Sequence, residues 1–406
     1  MSDVKYIIRE PVLGPKENVL GFALTWQQGS DPDTGDDDAA DRIALVSQKL
    51  VDPENGWLLG DNQIFLQVTP ALLSEQVLGG LSPKDTVLEF RLADLEDDDA
   101  VQSLQSLRDL GFNIALCEVD FATQEKSLEA LLPLTTYLEI QRSTPDFAEQ
   151  VNKYGSLSEN AVKMIARGAR SWAEFDACAA LDLSAFVGNH YLTPRPGVQS
   201  KGLNPGQVMI VQLMEMVRKN ADIRELEGVL KRDAALSYKL LRYINSVGFG
   251  LGAEIQSLKH AVTMLGYSPL YRWLSVLLAS ATKEGQSPVL MQTAVIRGRF
   301  AELLGKGFLP KNEAENLFVA GMFSLLDRLL GMPMEDVLEK LQLSESVTQA
   351  LLSREGMYGP FLALAEACES SQNNVGELAD SLFISALQVN EAHLSALAWA
   401  QNLKLS

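Results

Sequence analysis

The spacing of apolar residues changes once along these 406 residues, near Leu192–Pro205, and that change limits the fold more than any other feature. Before it, short apolar runs recur at Tyr6–Ile8, Leu20–Leu24, Ile64–Val68, Thr86–Phe90, Asn113–Leu116, Tyr137–Ile140 and Ala185–Val187. Helix-period segments lie between them, as at Asp41–Val51, Ala100–Leu110 and Trp172–Leu181, and Gly111 follows Leu110 as a helix stop. Short apolar strands alternating with helices predict a parallel, barrel-like α/β sheet. After the Pro- and Gly-rich stretch LTPRPGVQSKGLNP the period is near 3.6 throughout. Asn204-Pro205, Asp222 with Glu225, Asp233 and Ser257 each read as helix starts, and Gly266 as a stop. Further helical patterns begin near Pro288, Asn312, Met334, Ser344, Pro360 and Val375, so the second half predicts an all-α bundle. The stripe of Met209, Leu213, Met216 and Val217 reads as core.

Charge divides the chain at the same place. Residues 1–194 carry 32 acids against 14 bases, and residues 195–406 carry 21 against 20. Neither half has the basic excess that binds a phosphate backbone, so nucleic acid is not an expected partner. The acidic first half is also a poor attractor for a dianionic nucleotide. No apolar run approaches the roughly 18–20 residues of a membrane span. Lys5, Arg9 and Glu10 interrupt any secretory signal, and Cys117, Cys178 and Cys368 are far apart, as expected of buried thiols in a reducing compartment. These features predict a cytoplasmic protein that does not engage membranes. Three scattered histidines, His190, His260 and His393, argue against a hydrolase built on a histidine cluster. The Asp31–Gly35 run and the acidic Glu96–Asp99 run read as a solvated loop and a helix amino terminus, not as calcium sites.

Two families are recognisable in the residues. Leu230-Lys231-Arg232-Asp233-Ala234-Ala235-Leu236, Leu240-Leu241-Arg242-Tyr243-Ile244-Asn245-Ser246, Phe249-Gly250, Ile255, Ser257-Leu258, His260-Ala261 and Leu265-Gly266 resemble the HDOD domain, a non-catalytic relative of the HD phosphohydrolases. Asn245-Ser246 is expected to cap a helix end, and His260 to pack rather than to ligate. The metal-binding His-Asp pair of the HD enzymes aligns with Ser324-Leu325, which implies that no metal is held there.

The first half resembles the EAL domain, whose catalytic members are cyclic di-GMP phosphodiesterases on a TIM-type barrel. The resemblance rests on Arg9-Glu10-Pro11-Val12, Gly21-Phe22-Ala23-Leu24, Val87-Leu88-Glu89-Phe90, Gly111 to Leu116 and Gly188-Asn189-His190-Tyr191-Leu192-Thr193-Pro194. It implies an α/β plus all-α protein: a TIM-like EAL barrel over 1–194, short enough for some elements to be trimmed, then an all-helical HDOD bundle over 195–406. The family's ligand positions align with Ala23, Gln27, Gln67, Leu92, Cys117, Glu118, Glu139, Arg170 and Val187. Only Glu89 and Glu118 remain as vestigial carboxylates, and Glu139 adds negative charge where phosphates would lie. The resemblance therefore implies a catalytically inactive signalling protein: no enzyme, no cofactor and no bound metal. It would act through contacts with other signalling proteins, with a homodimer as one form. Cyclic di-GMP is not an expected ligand. A second reading keeps a non-hydrolysing cyclic di-GMP sensor in the barrel, and a third makes Cys117 a nucleophile.

Overall fold

Eight strands of the first half close into a barrel in the computed structural model. They are β1 (Tyr6–Leu13), β2 (Val19–Gln27), β5 (Gln63–Gln67), β6 (Thr86–Arg91), β7 (Asn113–Cys117), β8 (Tyr137–Gln141), β9 (Lys163–Arg167) and β10 (Ala185–Val187); β3 (Val51–Asp52) and β4 (Gly56–Trp57) pair separately as a hairpin. The structure describes residues 5–27, 37–70, 75–95, 100–119, 128, 130–144, 146–157, 162–197, 202–245, 255, 257–281, 288–371 and 374–403. The proposed loop at Asp31–Gly35 and the acidic run Glu96–Asp99 lie outside them.

The chain divides into two units: Met1–Arg195 with Cys368–Gly376, and Pro196–Ala367 with Glu377–Ser406. In the first unit, strands β2 and β5 to β10 run parallel to their neighbours, while β1 runs antiparallel to both β2 and β10. The half-chain thus closes a full eight-stranded barrel, and no strand has been trimmed. Its interior holds Val12, Ala23, Phe65, Val87, Ala115, Tyr137, Ile165, Ala185 and Val187. These are the bulky and small apolar residues that fill a small barrel as a packed core. Side chains alternate along a strand, so the next inward position is two residues on. On the parallel strands that position falls at the carboxyl end: Glu89, Cys117, Glu139 and Arg167. On antiparallel β1 it falls two residues earlier, at Glu10. The segment 368–376 belongs to this unit: Arg9 N–H donates to the Cys368 carbonyl at 2.9 Å, and the buried Arg9 guanidinium meets Glu369 at 3.5 Å.

The second unit is helical. Asn204 caps Pro205–Arg218 with Gln207 in a reciprocal box, and Asp222, Asp233, Ser257 and Ser344 cap Ile223–Leu230, Ala234–Ile244, Leu258–Leu265 and Glu345–Ser353. Gly266 ends the Leu258–Leu265 helix at φ 85°, a backbone region that favours glycine. Asn245 ends the Ala234–Ile244 helix, but its side chain reaches the backbone of Ile255 rather than the helix end, and Ser246 lies outside the described residues. The Asn245 amide donates to the Ile255 carbonyl at 2.8 Å and accepts the Ile255 N–H at 2.7 Å. The core is the helix pair Pro288–Gly305 and Lys311–Phe323, with Phe300, Phe318, Met322 and Phe323 buried between neighbours. All three cysteines are buried and unpaired with one another. Among the described residues no helix is long and apolar enough to cross a membrane.

Candidate functional site

The carboxyl ends of the barrel strands, where α/β barrels place their chemistry, gather four charged side chains. Arg167, at the end of β9, donates from Nε to Glu139 at 2.6 Å, from Nη1 to Glu10 at 3.2 Å and from Nη2 to Glu89 at 3.3 Å. The planar guanidinium suits this role, because its fixed fork of donors can meet several carboxylates at once. Glu139 and Glu89 are almost wholly buried, and Glu10 and Arg167 nearly so. Four strands far apart in sequence meet only because the barrel closes.

Burial shapes the protonation of the cluster. It pushes Glu89 up to about 7, with Arg167 pulling down and Glu139 and Glu10 pushing up. Glu10 is raised for the same leading reason, and Arg170 on the rim pulls against it. A carboxyl that titrates near neutrality can give and take a proton at working pH. It also leaves a mark on stability. The unfolded chain releases the Glu89 proton near 4.5 and the folded chain near 7. The stability this group contributes is therefore complete below 4.5 and is lost as pH rises through 7. Glu89→Gln lacks that dependence. Relative to the parent it gains up to roughly 3 kcal/mol of unfolding free energy between about pH 4.5 and 8. Denaturant titrations across this range check the prediction, and a difference that is constant with pH contradicts it.

The other sequence candidates are placed as follows. Glu118 is exposed, in a left-handed conformation (φ 52°) just past β7. Ala23 and Val187 lie in the barrel core, Leu92 is buried, and Gln67 is exposed at the end of β5. Gln27 turns to the 368–376 segment, where its Oε1 accepts the Val375 N–H at 2.9 Å. The Cys117 thiol is buried beside Glu139 and Glu89, and burial pushes its pKa far up, which leaves it a poor nucleophile. His190 stacks on Phe175 at 4.3 Å, and burial lowers it to about 4, so it stays neutral. In the second unit Ser324 accepts from Arg297 at 2.7 Å and donates to the Gly321 carbonyl; Arg297 and Arg354 share Glu366. A hydrogen-bonded ion network fills that part of the helical core.

The EAL resemblance implies divalent cations, which need several carboxylate oxygens turned to one point. Three glutamates are present, but all three aim at one guanidinium. Among the described residues no group of three His, Cys, Asp or Glu side chains is set to hold a metal ion. The residues as placed fit a tethered organic cation and not a divalent ion, and no chemical step is derived through one.

Residues 204–353 match the HDOD domain family. The cyclic di-GMP phosphodiesterase CdgJ of Vibrio cholerae is 26% identical over 405 residues, covering 98% of this chain and 93% of its own. The structure of the EAL domain of Mycobacterium smegmatis DcpA is 17% identical over 45% of this chain and 90% of that one, with a TM-score of 0.36. The PaMucR phosphodiesterase solved in complex with c-di-GMP is 15% identical over 45% of this chain and 89% of that one, with a TM-score of 0.35.

Two expectations need correction. The exclusion of enzyme activity does not stand, because a relative aligned over nearly the whole chain is named a phosphodiesterase. Of the two carboxylates kept at the family's ligand positions, Glu89 shares Arg167 with Glu10 and Glu139, and Glu118 is exposed just past β7. The exclusion of cyclic di-GMP as a ligand falls as well, against a relative named for that dinucleotide and aligned over 98% of this chain. It treated Glu139 as a bare negative charge, and Arg167 neutralises that charge at 2.6 Å. The chain is an eight-stranded α/β barrel followed by a helical unit that holds an HDOD domain over residues 204–353.

Proposed function

We propose that this chain binds cyclic di-GMP at the carboxyl-end mouth of its barrel and passes the bound state to partner proteins through its helical unit. The observation that carries the reading is the Glu10–Glu89–Glu139–Arg167 cluster, a buried polar constellation in an otherwise apolar barrel, at the end where such folds receive ligands. The formal charge of the cluster is moderated twice, by Arg167 and by the raised carboxyls of Glu89 and Glu10. Arg91, at the end of β6 and held by Asp94 at 2.9 Å, and Arg170, three residues past β9, carry guanidinium groups of the kind phosphates prefer. The full-length similarity to a protein named for this dinucleotide supports the same ligand.

Isothermal titration of the full chain with cyclic di-GMP tests the reading. Saturable binding is expected, weakened about tenfold or more in Arg170→Glu, since a charge-assisted contact to phosphate becomes repulsive. Absence of heat at about 1 mM dinucleotide, where an affinity of only about 4 kcal/mol would register, contradicts it. Chromatography of the same mixtures for the linear dinucleotide measures turnover separately.

A further inference from the structure

A cavity of about 610 Å³ opens in the helical unit, between the helices Leu258–Leu265, Tyr267–Ser280, Pro288–Gly305 and Lys311–Phe323. Its size is that of a small-ligand pocket. We propose that it binds a small organic anion with an apolar body, by way of Arg272, Lys306 and Lys311.

The charges around the cavity do not balance. Glu302 is buried and serves three cations: Arg272 at 2.9 Å, Arg299 at 2.8 Å and Lys306 at 3.9 Å. Lys311 lines the wall as a fourth cation. Glu315, also in the wall, accepts a hydrogen bond from Ser268. In the wall two carboxylates thus face three cations, Arg272, Lys306 and Lys311, and Arg299, outside the lining, takes a further share of Glu302, in a site partly withdrawn from water. Burial drives both Arg272 and Lys306 below their ordinary values, with the Arg299 charge adding to the shift. An incoming anion would relieve that mutual repulsion, and the Lys306 ammonium, half exposed, can reach it. Arg272 is anchored from behind, its guanidinium stacked over Phe318 at 3.8 Å. Such an anchor sets a rigid donor rather than a mobile surface charge. The Tyr271 phenol, pushed up to about 12 by burial, remains a donor.

Most of the remaining wall is apolar. Met264, Leu265, Pro269, Leu309, Ala314 and Val319 form it with the polar Asn316, and Met264 is 58% exposed. A cationic floor beside an apolar wall fits an anion carrying a ring or short chain, better than a bare inorganic ion.

The probe is 1-naphthyl phosphate, compared with 1-naphthol and with inorganic phosphate. The readout is the Met264 methyl resonance of the full chain labelled at methionine methyls, assigned by Met264→Leu. The expected result is a saturable Met264 shift with 1-naphthyl phosphate, and affinity lower by about tenfold or more in Lys306→Glu. The methyls of core methionines such as Met322 report whether that variant is folded. An unmoved Met264, equal affinity in folded Lys306→Glu, or equal binding of 1-naphthol would each overturn the proposal, and so would equal binding of inorganic phosphate. None of these outcomes bears on cyclic di-GMP binding by the barrel.

Discussion

Arg167→Ala lowers the stability of the barrel unit by about 3–5 kcal/mol at pH 8, the usual loss when one partner of a buried ionic group is removed. What Arg167 supplies is the positive charge in direct contact with Glu10, Glu89 and Glu139. Without it three carboxylates face one another in a low-dielectric interior, and they respond by binding protons. The loss therefore shrinks as pH falls, because the folded variant then holds protons that its unfolded chain has released. For a unit of this size the pH 8 deficit corresponds to a fall of about 10 °C in Tm. Arg167→Lys keeps the charge but not the fork of donors, so it falls between the two. Thermal and denaturant unfolding at pH 8 and pH 5 check this. A variant as stable as the parent at pH 8 would mean that the cluster does not organise the barrel mouth.

Gly321→Ala is expected to cost more than about 3 kcal/mol, although it adds a single methyl group. A Cβ at position 321 would stand 2.5 Å from the Gly298 Cα and 2.7 Å from its nitrogen. Those atoms are backbone and cannot rotate away. The helices Pro288–Gly305 and Lys311–Phe323 would have to separate, and the packing around Phe318, Met322 and Phe323 would open with them. Gly228→Ala is the contrast, since its Cβ meets nothing within 4 Å in the helix Ile223–Leu230. That change stabilises by about 0.5–1 kcal/mol, the general gain of alanine over glycine in a helix. Denaturation midpoints of the two variants should move in opposite directions; similar shifts would contradict the close helix crossing.

Much of the architecture is legible in residue spacing, because caps and apolar period act locally. Asn204, Asp233, Ser257 and Gly266 bound their helices as expected, and seven of the barrel strands fall where short apolar runs lie. Strand β9 is the exception. Its run of Met164, Ile165 and Ala166 is brief and flanked by Lys163 and Arg167, so it offers little contrast with a loop. Missing that strand meant missing Arg167. Placed as a strand, with Ile165 inward, the period of two also turns Arg167 inward. The Glu10–Arg167 pairing spans 157 residues and depends on β1 running antiparallel, which no local signal encodes. Glu118 is the opposite case. Its position in the sequence matches a ligand site, but the backbone turns left-handed there and carries it outward.

The most direct test of the account is a crystal structure of the full chain grown with cyclic di-GMP. The account predicts the dinucleotide at the carboxyl ends of the barrel strands, its phosphates within reach of Arg91 or Arg170 and its body over the Glu89–Glu139–Arg167 cluster. Dinucleotide bound elsewhere on the chain, with that mouth vacant, would contradict it.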